Sequence, residues 1–137
     1  MNVARMSGLR DLPDLPHRAP FLLVDRLLSR TAGSATAIRQ VTANDPLLGG
    51  ELPGPLVVEA LAQTAALMND ATLGTHRGFL VALRDVRFVS SVQAGDTLSL
   101  HTERTAMLGG LHRVTAHAHV GERLVASGEL TFAIEPA

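Results

Sequence analysis

Leu52-Pro53-Gly54-Pro55-Leu56-Val57-Val58-Glu59-Ala60-Leu61-Ala62-Gln63-Thr64-Ala65-Ala66-Leu67-Met68 decides how the rest of the 137-residue chain must be arranged. Pro55 suits a first helical position, where its missing N–H costs nothing and its fixed φ fits the helix; Gly54 before it permits a sharp turn. From Leu56 to Met68 apolar residues run nearly all the way round, the pattern of a core helix and not of an amphipathic surface one. Only Glu59 and Gln63 interrupt it with long polar side chains, and their spacing of four puts them on one face within mutual reach. A carboxylate among apolar neighbours needs a dedicated partner or a raised pKa. Glu59 is therefore the first candidate for chemistry.

Outward from this helix the pattern changes period. Before it, Gly8 to Pro16 reads as a short lead-in limited by Pro13 and Pro16, and Phe21 to Leu28 as a strand covered on both faces. A turn over Thr31 to Ser34 leads to a strand from Ala35 to Val41, with Ala35, Ala37, Arg39 and Val41 on one side. Asn44 to Pro53 is a loop. After the helix, which should fade at Asn69-Asp70 with Gly74 as its stop, strands are expected over Phe79–Val89, Thr97–Met107 and Leu111–Val120, with a last one running to the end. The turns are Ala94-Gly95-Asp96, Leu108-Gly109-Gly110 and Gly121-Glu122. An antiparallel sheet wrapped around one apolar helix satisfies this order, an α+β fold in a single domain spanning 1–137. One sheet cannot enclose a helix that is apolar all round, so a homodimer is expected, a second copy closing the open side.

The totals exclude several classes. Twelve Lys+Arg against thirteen Asp+Glu give a net charge of −1, without the basic field that nucleic acid or an anionic membrane surface would need. With no Cys there is neither a disulfide framework nor a thiolate nucleophile. The first ten residues show no signal-peptide core and no apolar run approaches a membrane span, so a cytoplasmic protein is expected. Aromatic residues make up 3% of the chain, too few for stacking platforms that hold bases.

Leu15-Pro16-His17-Arg18-Ala19-Pro20-Phe21-Leu22-Leu23-Val24-Asp25-Arg26 resembles the N-terminal signature of the FabZ-type 3-hydroxyacyl-ACP dehydratases, which adopt the hotdog fold. Leu52 to Gln63 is similar to that family's catalytic helix, and Val86-Arg87-Phe88 through Ala94-Gly95-Asp96 to its next strand and turn. The resemblance implies a dimer with acyl tunnels at its interface, acting on acyl-ACP or acyl-CoA without a cofactor, a His from one subunit working with a Glu from the other. The Glu carries over to Glu59, with Gln63 orienting it; Gly54, Phe79 and Arg87 fall to substrate binding. The His does not carry over. Where the family has Gly-His-Phe-Pro-Gly and then a second Pro-Gly, this chain has only Gly50-Glu51-Leu52-Pro53-Gly54. That departure resembles the His-less dehydratase-like proteins of aryl-polyene biosynthesis. Pro55 is a second departure, since it has no N–H for the thioester carbonyl.

Dehydration needs a base for the α-proton, an acid for the leaving hydroxyl and donors for the enolate oxygen. Glu59 can serve the hydroxyl, or it is a carboxylate paired inside the core with no turnover. Glu51 either replaces the missing base or is simply solvated. His17 either substitutes as base or fixes the lead-in against the first strand. The resemblance thus implies weak or partner-dependent dehydration. The alternatives are a non-catalytic subunit paired with a His-bearing paralogue and a hotdog thioesterase. Arg84 and Arg87 either meet a carrier's acidic groups or phosphate or form a solvated face; after Phe88, where the family tends to be basic, stand Val89-Ser90-Ser91. His117 and His119 share a strand face, and a hairpin at Leu108-Gly109 brings His101 opposite His117. Three imidazoles can bind Zn²⁺ or Ni²⁺, but strand histidines without nearby carboxylates are ordinarily surface, so no metal is expected.

Overall fold

The computed structural model describes residues 22–43, 51–68 and 77–135. The lead-in over Gly8–Pro16, His17, and the expected fading of the helix at Asn69–Gly74 lie outside these residues. The elements follow in the order β1 (Arg26–Arg30), β2 (Ser34–Gln40), α1 (Gly54–Ala65), β3 (Arg77–Phe88), β4 (Thr97–Leu108), β5 (Leu111–Val120) and β6 (Arg123–Glu135). The six strands form one sheet in the order β1-β2-β4-β5-β6-β3, antiparallel throughout. Because β3 pairs with the last strand, it lies at the far edge of the sheet although it comes third in sequence.

Alternation decides which face is buried. On β2, Ala35, Ala37 and Arg39 point inward; on β4, Leu98, Leu100 and Thr102 do; on β5, His112, Val114, Ala116 and Ala118 do. α1 lies across this face against β2, β4, β5 and β6, burying Val57, Ala60, Leu61 and Gln63. Leu56, Val58 and Glu59 are only half-buried and Pro55 and Ala66 are exposed, so within one chain the helix keeps an uncovered flank.

Three departures from simple alternation have local causes. Among the described residues the ladder of β1 begins at Arg26 and not at Leu22, and the N–H of Leu23 is instead satisfied by a side chain, Gln63 Oε1 at 2.8 Å. On β6 the register slips opposite Ala118/His119, so Val125 is the extra residue of a bulge and is 2% exposed between Leu124 and Ala126. On β3 the register slips between Arg84 and Arg87, and Asp85 there adopts φ 53°, a left-handed conformation uncommon outside glycine. The bulge presses Val86 against β6 at Gly128, where a Cβ would stand 3.1 Å from Val86 Cγ2.

Candidate functional site

The spacing of Glu59 and Gln63 produces the contact it predicts. Gln63 Nε2 donates to Glu59 Oε2 at 3.2 Å, while Gln63 Oε1 accepts the backbone N–H of Leu23 at 2.8 Å. Gln63 is 1% exposed, so both ends of its amide are fixed inside the core. Glu59, half-buried on the uncovered flank of α1, is thereby held in one orientation. The helix, its buried amide and the segment entering β1 act as one support for one carboxylate.

The start of α1 supplies a donor. Pro53 is the N-cap, without a side-chain cap, and its carbonyl takes the N–H groups of Leu56 at 3.0 Å and Val57 at 3.3 Å. Pro55 has no N–H. The amide of Gly54, at the positive end of the helix, finds no acceptor among the described residues. A Cβ at Gly54 would stand 2.8 Å from the ring of Phe88, so a larger residue there would displace that exposed ring.

Beside this amide lies a cavity of about 390 Å³. Its walls are mainly apolar, with Pro55 and Val57 from α1, Phe88 and Val89 from the end of β3, and Val92 and Val125 opposite. Among the described residues Glu51 is the only charged side chain in the wall. Its backbone is pinned by a bridge to Gln93, and Leu52 N–H donates to Val92 O at 2.9 Å. Glu59 does not line this cavity. Within one chain, the acid on the helix flank and the amide at the helix start therefore serve two separate surfaces.

The remaining predicted residues are dispersed. Phe79 is on β3 and 45% exposed, Arg84 and Arg87 are exposed on the same strand, and none of the three borders the cavity. His101 does sit opposite His117, as the hairpin predicts, with ring centroids 4.9 Å apart; His119 follows edge-on at 4.9 Å. His101 Nδ1 shares a hydrogen bond with Thr36 Oγ1 at 2.8 Å, and His117 Nδ1 lies 3.3 Å from His119 Nδ1. Burial, then His101 and His119, hold His117 below the usual imidazole range; Glu103 opposes them, so a carboxylate does stand near this row, contrary to the expectation. Among the described residues no group of three or more His, Cys, Asp or Glu is disposed to hold a metal ion, and no helix is long and apolar enough to cross a membrane.

Sequence reasoning missed Arg123. It stands at the first position of β6, and its Nη1 donates to Ser90 Oγ at 2.9 Å and Ser91 O at 2.7 Å, both residues of the cavity wall. No local pattern links positions 33 and 32 apart.

Comparison with known proteins agrees with this architecture. The chain is 39% identical over 129 residues to the 3-hydroxyacyl-[acyl-carrier-protein] dehydratase FabZ of Clostridioides difficile (strain 630), covering 88% of this chain and 91% of that one. It is 41% identical over 130 residues to FabZ of Staphylococcus carnosus (strain TM300), covering 88% and 90%. Among solved structures the fold is similar to the dehydratase heterocomplex ApeI:P from Xenorhabdus doucetiae, with a TM-score of 0.77 at 19% identity over 89% of this chain and 88% of that one. It is also similar to a hypothetical thioesterase with coenzyme A from Streptococcus pneumoniae TIGR4, with a TM-score of 0.67 at 14% identity over 80% and 84%. Residues 12–136 match the ApeP-like family, described as ApeP dehydratase. With a sheet wrapped on one helix, a fixed helix carboxylate and an apolar cavity at the helix start, the chain belongs to the ApeP-like dehydratases, within the FabZ-type hotdog family.

Proposed function

We propose that the chain works as a dimer on acyl thioesters of acyl carrier protein or coenzyme A, eliminating water from 3-hydroxyacyl groups. The observation that carries this reading is the Glu59–Gln63–Leu23 brace on a helix flank left uncovered by its own chain. A polar network fixed at both ends inside a core, with its carboxylate at the open flank, suits a group that must act on something arriving there. The second protomer supplies the cover and brings its cavity to Glu59. The exposed apolar residues of β3, including Phe79, Val81, Leu83 and Phe88, suit it as the strand that meets the partner.

In the reaction the α C–H bond breaks, its electron pair forms the C2–C3 double bond, and the C3–O bond breaks to release water. Protonated Glu59 delivers the proton to the leaving hydroxyl, held in place by Gln63. The Gly54 N–H, aided by the helix dipole, receives the thioester oxygen as it gains charge. The α-proton needs a base. Among the described residues the only ionisable side chain in the cavity wall is Glu51, which takes that part in a homodimer. Phe79 and Arg87 contribute through the surface that the second protomer completes.

The test is dehydration of 3-hydroxybutyryl-ACP, followed as enoyl thioester, for wild type and Glu59→Gln. The substitution should lower the rate by about 10²–10⁴-fold while the amide preserves the contact with Gln63. Equal rates would remove Glu59 from the chemistry, and free thiol without enoyl product would assign thioester hydrolysis instead. A second reading, pairing with a His-bearing paralogue to which this chain contributes Glu59, is favoured by the absence of any His from Glu51 to Pro53, the described residues leading into α1. Dehydration that appears only on co-expression, and is lost when Glu59→Gln is co-expressed, would select it.

A further inference from the structure

The histidines on the outer face of the sheet take no part in the chemistry proposed above. His117 and His119 alternate with the buried Ala116 and Ala118, so both stand half-buried on the face of β5 turned away from α1. The register slip between β5 and β6 falls at Ala118/His119, between the two, and such a slip re-aims side chains. The result is a close approach of like atoms: His117 Nδ1 and His119 Nδ1 lie 3.3 Å apart, with the ring planes at 86° to each other. A separation of 3.3 Å is past the ordinary range of about 2.7–3.2 Å for an N–H donor and its acceptor. It matches two ligand atoms on one tetrahedral ion, because two Zn–N bonds of about 2.0–2.1 Å opened to the tetrahedral angle span roughly 3.3–3.4 Å. At the right angle of an octahedral site the same bonds would span only about 2.9 Å. Rings set nearly perpendicular do not stack, and their in-plane lone pairs can converge on one point.

We infer that His117 and His119 form a chelating pair for a tetrahedral divalent ion, Zn²⁺, held through both Nδ1 atoms with solvent completing its shell. Imidazole suits Zn²⁺, and the span of the two nitrogens selects a tetrahedral ion over an octahedral one. The third imidazole is not a ligand. His101 packs on His117 with ring centroids 4.9 Å apart, but its Nδ1 is engaged with Thr36 Oγ1 at 2.8 Å. This agrees with the absence, among the described residues, of any group of three or more His, Cys, Asp or Glu that could hold a metal ion. Two protein ligands make a reversible site with open positions, unlike the closed four-ligand sites that hold a fold together. The surroundings suit a hydrated cation: Ser99 opposite His119 and Ser127 opposite His117 are small and polar, and Glu103, two residues along β4 from His101, puts a negative charge on the same face. Spacing alone points to no metal here; the approach of the two Nδ1 atoms is what the fold adds. Because the pair lies on the opposite side of the sheet from α1, the inference stands independently of the thioester reading.

The experiment is calorimetric titration of ZnCl₂ into the full chain, first stripped of metal with a chelator and exchanged into neutral buffer, for wild type, His117→Gln, His119→Gln and His101→Gln. Thermal melts of the metal-free variants establish that each is folded. Wild type should take up Zn²⁺ at a site that His117→Gln and His119→Gln each weaken by roughly 10²-fold, the low end of what a second tethered ligand contributes. His101→Gln should bind as wild type does. Co²⁺ in place of Zn²⁺ should give wild type the intense visible absorption of tetrahedral coordination, and that band should be missing from His117→Gln and His119→Gln. Wild type that takes up no Zn²⁺ would overturn the inference, as would unchanged affinity in either His117→Gln or His119→Gln. A loss in His101→Gln as large as in the other two would overturn the pairwise site, and a weak octahedral Co²⁺ spectrum in wild type would overturn its tetrahedral geometry.

Discussion

The two sides of the sheet treat the same kind of residue differently. On β4, Leu98 and Leu100 are 0% exposed beneath α1; on β3, Val81 is 55% and Phe88 53% exposed. Composition does not explain this, since β3, with Phe, Leu, Val and Ala, is the more apolar of the two, while β4 sets Leu, Ala and Met among Thr, Ser, His and charged residues. Position does: β4 has a strand on either side and a helix above, whereas β3 has β6 on one side only. Burial that one chain completes is a matter of folding, and burial that it leaves open is a matter of association.

That contrast can be broken or sharpened by substitution. The largest effect belongs to Leu100→Ala, which removes a fully enclosed side chain and should cost about 2–5 kcal/mol in urea denaturation. Gln63→Leu comes next. It leaves the Leu23 N–H without its acceptor and Glu59 without its brace, at a cost of about 1–3 kcal/mol in the same measurement. Val81→Asp on β3 should change the stability of the dilute single chain by less than about 0.5 kcal/mol. In sedimentation, however, if wild type sediments as the proposed dimer, Val81→Asp should sediment as monomer and lose dehydration; an unchanged dimer would remove β3 from the interface.

The smallest effect concerns the imidazole row on the outer face. Folding holds His117 below its ordinary 6.5, so as pH falls the unfolded chain takes up the proton first. The stability linked to this group is full above pH 6.5 and is lost as pH drops below it toward the folded-state pKa. His117→Gln should flatten the decline in thermal stability as pH falls below 6.5. A slope identical to wild type would show that another group carries it.

Much of this was legible in the residues. β5 runs from Leu111 to Val120 as its alternation requires, and Ala35, Ala37 and Arg39 share a face as their period dictates. The Glu59–Gln63 contact follows from a spacing of four on a helix. What failed to show was whatever depends on partners distant in sequence. Phe21 to Leu28 looked like a strand throughout, but a glutamine forty positions on takes the amide of Leu23, and the ladder starts later. Val125 broke the alternation of β6 because the bulge opposite Ala118/His119 lies in the pairing, not in the composition. The contacts of Arg123 with Ser90 and Ser91 likewise arise only once the fold brings positions 33 and 32 apart together.

The left-handed residue in β3 has a bearing on what this protein avoids. An exposed outer strand with straight backbone invites further strands to stack on it without limit, the route to fibres. The kink at Asp85 interrupts that template partway along its length, so only a neighbour bent to match can lie against it. A strand interrupted in this way is a poorer template for open-ended growth.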